Sequence, residues 1–136
     1  MTQCYSTDYS DATVVDIGAH KGYFGAYALV QGAKAVLSYE PEHENFAALE
    51  RAAEPFRAKG YDWRTTQAAV GSHERTAQLI LSRSSWTHSL RHAPEVDATG
   101  RVQDVTVIPF GDVMEEAAAL KGRMIVKIDV EDPSVK

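Results

Sequence analysis

Two carboxylates and two glycines have the types and the spacing of a ligand site. Asp16, Gly18 and Gly22 form the pattern D-x-G-x-x-x-G after the apolar run TVVDI, and Glu40 follows a second apolar run. Glycines let a ligand lie against bare backbone, and a carboxylate about 20 residues beyond such a turn can accept two hydrogen bonds from a ribose diol. The pattern predicts a nucleoside site.

Other nucleotide-binding patterns fit this turn less well. A dinucleotide fold requires G-x-G-x-x-G, whereas the glycines here are Gly18, Gly22 and Gly25. No P-loop pattern is present, and none of the six tyrosines has a lysine four residues on, as short-chain dehydrogenases require. Two carboxylates without a phosphate cradle favour a nucleoside with a cationic amino-acid tail, because buried positive charge needs anionic partners. S-adenosylmethionine has that chemistry, and an NAD-type oxidoreductase is the alternative from another class.

Length and composition set the limits of the interpretation. The chain has 136 residues, a net charge of −5 and one cysteine, Cys4, so we expect a single domain over residues 1–136 in a reducing cytoplasm. The acidic balance argues against a nucleic-acid partner, and no apolar stretch is long enough for a membrane partner. His88 and His92 have the i, i+4 spacing of a metal pair but lack a third ligand, so no metal site is predicted.

Strands and helices alternate along the chain, which predicts an α/β, Rossmann-like fold. The apolar runs TVVDI, KAVLSYE, DWRTTQAAVG and RMIVKIDVE read as strands of a mainly parallel sheet with helices on both faces. TAQLILS alternates and predicts a strand of an added β-hairpin or meander, and VQDVTVIPF predicts a further strand.

Local signals place the helix ends. A helix is expected from about Gly22 to Gln31, ended by Gly32 in the left-handed conformation. Pro41 suits the first turn of a second helix, which Pro55 closes. A third helix is expected to begin with Asp112 as its N-cap and Glu115 completing a capping box, and to stop at Gly122.

The segments VVDIGAHKGYFGAYAL, SYEPEHENFAALERA, TQAAVGS, TAQLILS and VKIDVE follow one another as in FkbM-type methyltransferases of the class I S-adenosylmethionine-dependent fold. The sequence resembles that family from Ala12 to Glu131. The resemblance implies S-adenosylmethionine as cofactor, with Glu40 on its ribose and Ala69, at the end of the third strand, near its adenine. The cofactor-binding residues expected in this way are Asp16, Gly18, Ala19, His20, Gly22, Glu40, Pro41 and Ala69.

Asp129 and Glu131 lie at the carboxyl end of the last predicted strand, where an acceptor would sit. The family is associated with O-methylation of small-molecule, sugar or natural-product hydroxyls, and a hydroxyl acceptor benefits from a general base within hydrogen-bond reach. One of the two carboxylates is therefore expected to act as base or as substrate-orienting group. The structural alternative is that strand-end carboxylates cap the following helix.

The end of the sequence departs from the family pattern. After Glu131 the family's Gly-Ala-Glu is replaced by Asp132-Pro133-Ser134, which predicts a C-terminally short class I fold with an exposed sheet edge and a possible homodimer through it. Asp132-Pro133 also matches half of the Asp/Asn-Pro-Pro-aromatic turn of amino-methyltransferases. The alternative function is a non-catalytic, truncated methyltransferase-fold module for binding or scaffolding.

Overall fold

The structure is a computed structural model that describes residues 7–81, 89–91 and 101–129. Strands and helices alternate in its first part, and four further strands follow one another in its middle. In chain order the elements are β1 (Thr13–Ile17), α1 (Tyr23–Val30), β2 (Ala35–Tyr39), α2 (His43–Ala58), β3 (Asp62–Thr66), β4 (Ala69–Gly71), β5 (Arg75–Leu81), β6 (Ser89–Arg91), β7 (Arg101–Pro109), α3 (Phe110–Ala119) and β8 (Met124–Ile128).

The first sheet is parallel throughout and has the strand order β3-β2-β1-β8. All five residues of β1 and all five of β2 are buried, because helices cover both faces of these central strands. The α/β, Rossmann-like fold with helices on both faces is therefore confirmed. Ile17 pairs with Tyr39 on one side and with Ile128 on the other, so β1, β2 and β8 end at the same edge.

Each face of the first sheet has its own apolar core. Helices α1 and α2 cover one face, where Trp63 of β3 packs with residues of both helices and of the central strands. Helix α3 covers the other face through Val113 and Ala117. Alternate residues of one strand thus enter different cores, as with Val14 and Val15, which explains why β1 reads as a continuous apolar run.

A second sheet has the strand order β4-β7-β5-β6. Strand β5 is antiparallel to β6 and β7, as expected of the hairpin or meander around TAQLILS, whereas β4 is parallel to β7. The prediction that DWRTTQAAVG forms one strand is wrong. The chain leaves the first sheet after Thr66 and enters the second at Ala69, because β4 pairs with β7 rather than with β2.

The prediction that Pro55 closes the second helix is wrong, since α2 continues to Ala58. Proline removes one helical hydrogen bond, but the residues after it are held by tertiary contacts. The Phe56 ring packs edge-on against Trp63 at 5.3 Å, and the Arg57 Nε donates to the carbonyl oxygen of Trp63 at 2.8 Å. These contacts keep the last turn of α2 helical.

Two other predicted helix starts are also displaced. Pro41 precedes the helix rather than standing in its first turn, because Glu42 is the N-cap and its carboxylate accepts from the backbone N–H groups of Glu44 and Asn45. Helix α3 begins directly after β7 with Pro109 as its N-cap. Asp112 therefore lies in the first turn, where its negative charge still suits the helix dipole.

Strand β8 is the outermost strand on one side of the first sheet in the described part of the chain. Met124, Val126 and Ile128 of this strand are exposed. They lie on the same face of the sheet as the residues of β1 and β2 that α3 covers. The edge expected from the sequence is thus present among the described residues, and the homodimer through it stays a prediction.

Candidate functional site

The β1–α1 turn (residues 18–22) continues the first sheet beyond its last paired residues. The backbone N–H groups of Gly18 and Ala19 both donate to the carbonyl oxygen of Tyr39, at 2.9 and 3.0 Å. Gly18, His20 and Gly22 have positive φ values of 81°, 55° and 93°. Glycine adopts this conformation readily, and histidine is among the few side chains enriched there, so the sequence permits a tight turn. Gly18, Ala19 and Gly22 are buried within it.

Glu40 ties this turn to the start of α2. Its Oε1 accepts from the backbone N–H of His20 at 2.7 Å, and its Oε2 accepts from the backbone N–H of Glu42 at 2.9 Å. Burial raises the pKa of the Glu40 carboxyl, and the two N–H donors oppose that shift. Each carboxylate oxygen has a second lone pair, so these two donors do not use all of the carboxylate's acceptor capacity.

Asp16 is fully buried beneath the turn and has a cation beside it. Its Oδ1 lies 3.4 Å from the Lys127 Nζ, whereas its Oδ2 has no hydrogen-bond partner among the described residues. The Lys127 ammonium also lies 3.6 Å from the Asp129 Oδ2 and over the Phe24 ring, 5.1 Å from its centroid. Burial raises the pKa of the Asp16 carboxyl, and the Lys127 charge opposes that shift.

The raised pKa of Asp16 predicts a pH-dependent effect of Asp16→Asn on stability. The folded state binds a proton more tightly than the unfolded state, so this carboxylate lowers stability above its folded pKa and has no such effect below its ordinary pKa of 3.8. We therefore expect the difference in unfolding free energy between Asp16→Asn and the parent protein to increase in favour of the variant as pH rises from 4 to 8. Urea unfolding at each pH measures this difference. The exposed Asp104 provides the control Asp104→Asn. Parallel pH curves for parent and Asp16→Asn would contradict the prediction.

A cavity of about 220 Å³ opens beside the β1–α1 turn and the end of β8. It is smaller than the pockets of roughly 300–1,000 Å³ that enclose drug-sized ligands, so it suits part of a ligand. Asp129 lies at its mouth, with its backbone N–H donating to the Ile17 carbonyl oxygen and its Oδ2 3.8 Å from the His20 Nε2. The lining residues are Ala19, His20, Lys21, Tyr23, Phe24, Asn45, Lys127 and Asp129.

Most of the residues expected at the cofactor site meet at this edge, the predicted position of Ala69 at the end of β3 is wrong, and the role of Pro41 stays a prediction. Ala69 begins β4 instead of ending β3, and its side chain packs in the core of the second sheet. Pro41 follows Glu40, and its carbonyl oxygen accepts from the Gln103 Nε2 at 2.8 Å. Glu131, His88 and His92 lie outside the described residues.

Sequence reasoning missed Lys127, Lys21 and Asn45 as residues of this site. Lys127 pairs in register with Asp16, so a charge inside the otherwise apolar strand MIVKI was a usable signal. The Lys21 Nζ donates to the Asn45 Oδ1 at 3.0 Å across 24 positions, and neither residue belongs to a recognisable local pattern.

Residues 7–81, 89–91 and 101–129 contain no group of three or more His, Cys, Asp or Glu side chains that could hold a metal ion. Over those same ranges, no helix has the length and apolar character needed to cross a membrane.

Fold and site together define a Rossmann-like α/β protein with a glycine turn and buried carboxylates at the carboxyl edge of its parallel strands. Comparison with protein families gives the particular assignment: residues 16–133 match the methyltransferase FkbM domain. The chain belongs to the FkbM methyltransferase family.

The solved structures include a similar fold in the methyltransferase FkbM from Methylobacillus flagellatus KT. The TM-score is 0.60 at 15% sequence identity, and the match covers 93% of this chain and 28% of that chain. At this identity the likeness concerns the fold, and this chain spans less than a third of the length of that neighbour. Among curated protein sequences, none shows significant similarity to this chain.

Proposed function

We propose that this protein binds S-adenosylmethionine and transfers its methyl group to a hydroxyl of a small-molecule, sugar or natural-product acceptor, in the cytoplasm. The observation that carries the proposal is the hydrogen bond from the backbone of His20 to Glu40. It brings the glycine turn and a buried carboxylate into one site at the ends of β1 and β2. Membership of a methyltransferase family supports the reaction class.

The donor groups fit the cofactor's chemistry. The carboxylate of Glu40 has acceptor capacity for the ribose diol, and the positive-φ glycines lie in the turn that this carboxylate holds. The Oδ2 of Asp16 is buried and without a hydrogen-bond partner, so this site also has an acceptor suited to an ammonium group. S-adenosylmethionine, when bound, supplies a methyl group activated on a sulfonium.

Asp129 is the residue that we assign to the molecule receiving the methyl group. Its carboxylate is exposed at the cavity mouth, with the imidazole of His20 and the ammonium of Lys127 close by. In the proposed reaction Asp129 accepts the proton of the acceptor hydroxyl or orients that hydroxyl toward the methyl group. Glu131 is the second candidate for the same role.

Calorimetric titration with S-adenosylhomocysteine tests the cofactor assignment. We expect the full chain to bind it with a Kd on the order of micromolar. Gly18→Ala should weaken binding at least about tenfold, because alanine is strained at positive φ in the turn. Gly60→Ala is the matched control, since Gly60 also has a positive φ of 95° but nothing lies within 4 Å of an added Cβ.

Two results would contradict the cofactor assignment. A folded parent protein that gives no binding heat would exclude a formed nucleoside site, and equal affinities for Gly18→Ala and Gly60→Ala would exclude the turn as part of it. Titration with NADH provides the chemical control. A protein that binds NADH but does not bind S-adenosylhomocysteine would favour the oxidoreductase alternative.

A further inference from the structure

The β1–α1 turn is held at two adjacent residues by the connection between β2 and α2. The backbone N–H of His20 donates to the Glu40 carboxylate, and the Lys21 ammonium donates to the Asn45 Oδ1 at 3.0 Å. Asn45 lies in the first turn of α2, and its side chain is almost fully buried. The second tie therefore ends on a side chain that packing keeps in place.

The turn needs such support because its backbone is strained. His20 has a φ of 55° with a side chain present, and a residue in this conformation persists where its surroundings determine it. A ligand that binds beside a turn gains affinity when that turn is already ordered. Whatever holds residues 18–22 in place thus affects binding in addition to any contact that it makes with the ligand.

We propose that Lys21 and Asn45 form a positioning pair that keeps the β1–α1 turn in its binding conformation. This inference rests on the proposed function for its effect on cofactor affinity, but the ordering of the turn is a property of the free protein. The Asn45 backbone N–H donates to the Glu42 carboxylate at 2.7 Å, and the Glu42 backbone N–H donates to Glu40. The pair therefore joins the turn to the same short segment that holds the ribose carboxylate.

Amide hydrogen exchange of the full chain without ligand tests the ordering role. Lys21→Met should raise the exchange rate of the His20 amide at least about tenfold and leave the amides of β1 and β2 unchanged. Lys21→Arg keeps a donor for Asn45 and should restore most of the protection. Lys34→Met is the matched control, because the Lys34 ammonium also donates across a long sequence separation, but to the main-chain oxygens of Leu120 and Lys121.

Calorimetry with S-adenosylhomocysteine then tests the effect on binding. Lys21→Met and Asn45→Ala should each raise the Kd about 5- to 20-fold. The double variant should have a Kd no higher than that of the single variants, since each substitution removes the same hydrogen bond. Unchanged exchange at His20 in Lys21→Met, or no recovery in Lys21→Arg, would overturn the proposal. If the parent protein does not bind, the proposed function fails, and the exchange result alone decides the ordering role.

Discussion

Glu40→Gln is expected to weaken the binding of S-adenosylhomocysteine by about 1.5–3 kcal/mol, roughly 10- to 150-fold in Kd. Both oxygens of the Glu40 carboxylate already accept a backbone N–H, from His20 and from Glu42. A glutamine presents an NH₂ group to one of these donors, so the turn loses a hydrogen bond. The ribose diol loses a charged acceptor as well. Calorimetry on the two proteins gives the change in affinity directly.

The control for this variant is Glu50→Gln, which separates affinity from stability. Glu50 is also on the β2–α2–β3 side of the molecule, where its carboxylate pairs with Arg57 at 3.0 Å and accepts from the Thr65 hydroxyl. Its replacement should lower the unfolding free energy and leave the Kd unchanged. An equal loss of affinity in both variants would mean that Glu40 acts through general stability and would contradict its role at the ribose.

The parts of the fold that the sequence predicted are those with strong local signals. Every residue of β1 and β2 is buried, so both strands read as apolar runs whatever their partners are. Gly32, with a φ of 102°, lies where the first helix ends, as its position after the apolar run predicted. Such features depend on neighbours in the chain and can be predicted without the tertiary structure.

The features that were missed depend on contacts between distant segments. Between Thr66 and Ala69 no glycine or proline marks the place where the chain changes sheets, because the change is determined by pairing of β4 with β7. Pro55 is a helix breaker by propensity, yet the contacts of Phe56 and Arg57 with Trp63 stabilise the helical turn that follows it.

The arrangement of residues at this sheet edge was predicted in outline, but the charges around Asp16 were not. The spacing predicted that Asp16, Gly18 and Glu40 lie together there, since strand ends and tight turns have local signatures, and their role toward a cofactor stays a prediction. Lys127 comes 111 positions after Asp16 and reaches it only because β8 pairs with β1. The state of Asp16 therefore depends on a partner that is distant in the chain, and the only signal of it in the sequence is a charge within an apolar strand.

Gly25→Ala is expected to lower the unfolding free energy by about 1–3 kcal/mol, because it overpacks the core between α1 and β3. An added Cβ would lie 2.5 Å from the Trp63 Cζ2 and 2.9 Å from its Cε2. The indole has no room to move, since its Nε1 donates to the buried Ser38 Oγ at 2.9 Å and Phe56 packs edge-on against it. The clash outweighs the gain in helix propensity of about 1 kcal/mol that alanine brings over glycine.

Gly111→Ala is the matched control, since Gly111 is also helical but nothing lies within 4 Å of an added Cβ. This variant should be more stable than the parent protein by about 0.5–1 kcal/mol in urea unfolding. Because α1 begins directly after the β1–α1 turn, Gly25→Ala should also weaken S-adenosylhomocysteine binding, whereas Gly111→Ala should not. In a Trp63→Phe background, which lacks the atoms that clash, Gly25→Ala should lower the unfolding free energy less than it does in the parent protein. If Gly25→Ala were as stable as Gly111→Ala, the close contact between α1 and Trp63 on which this prediction rests would be contradicted.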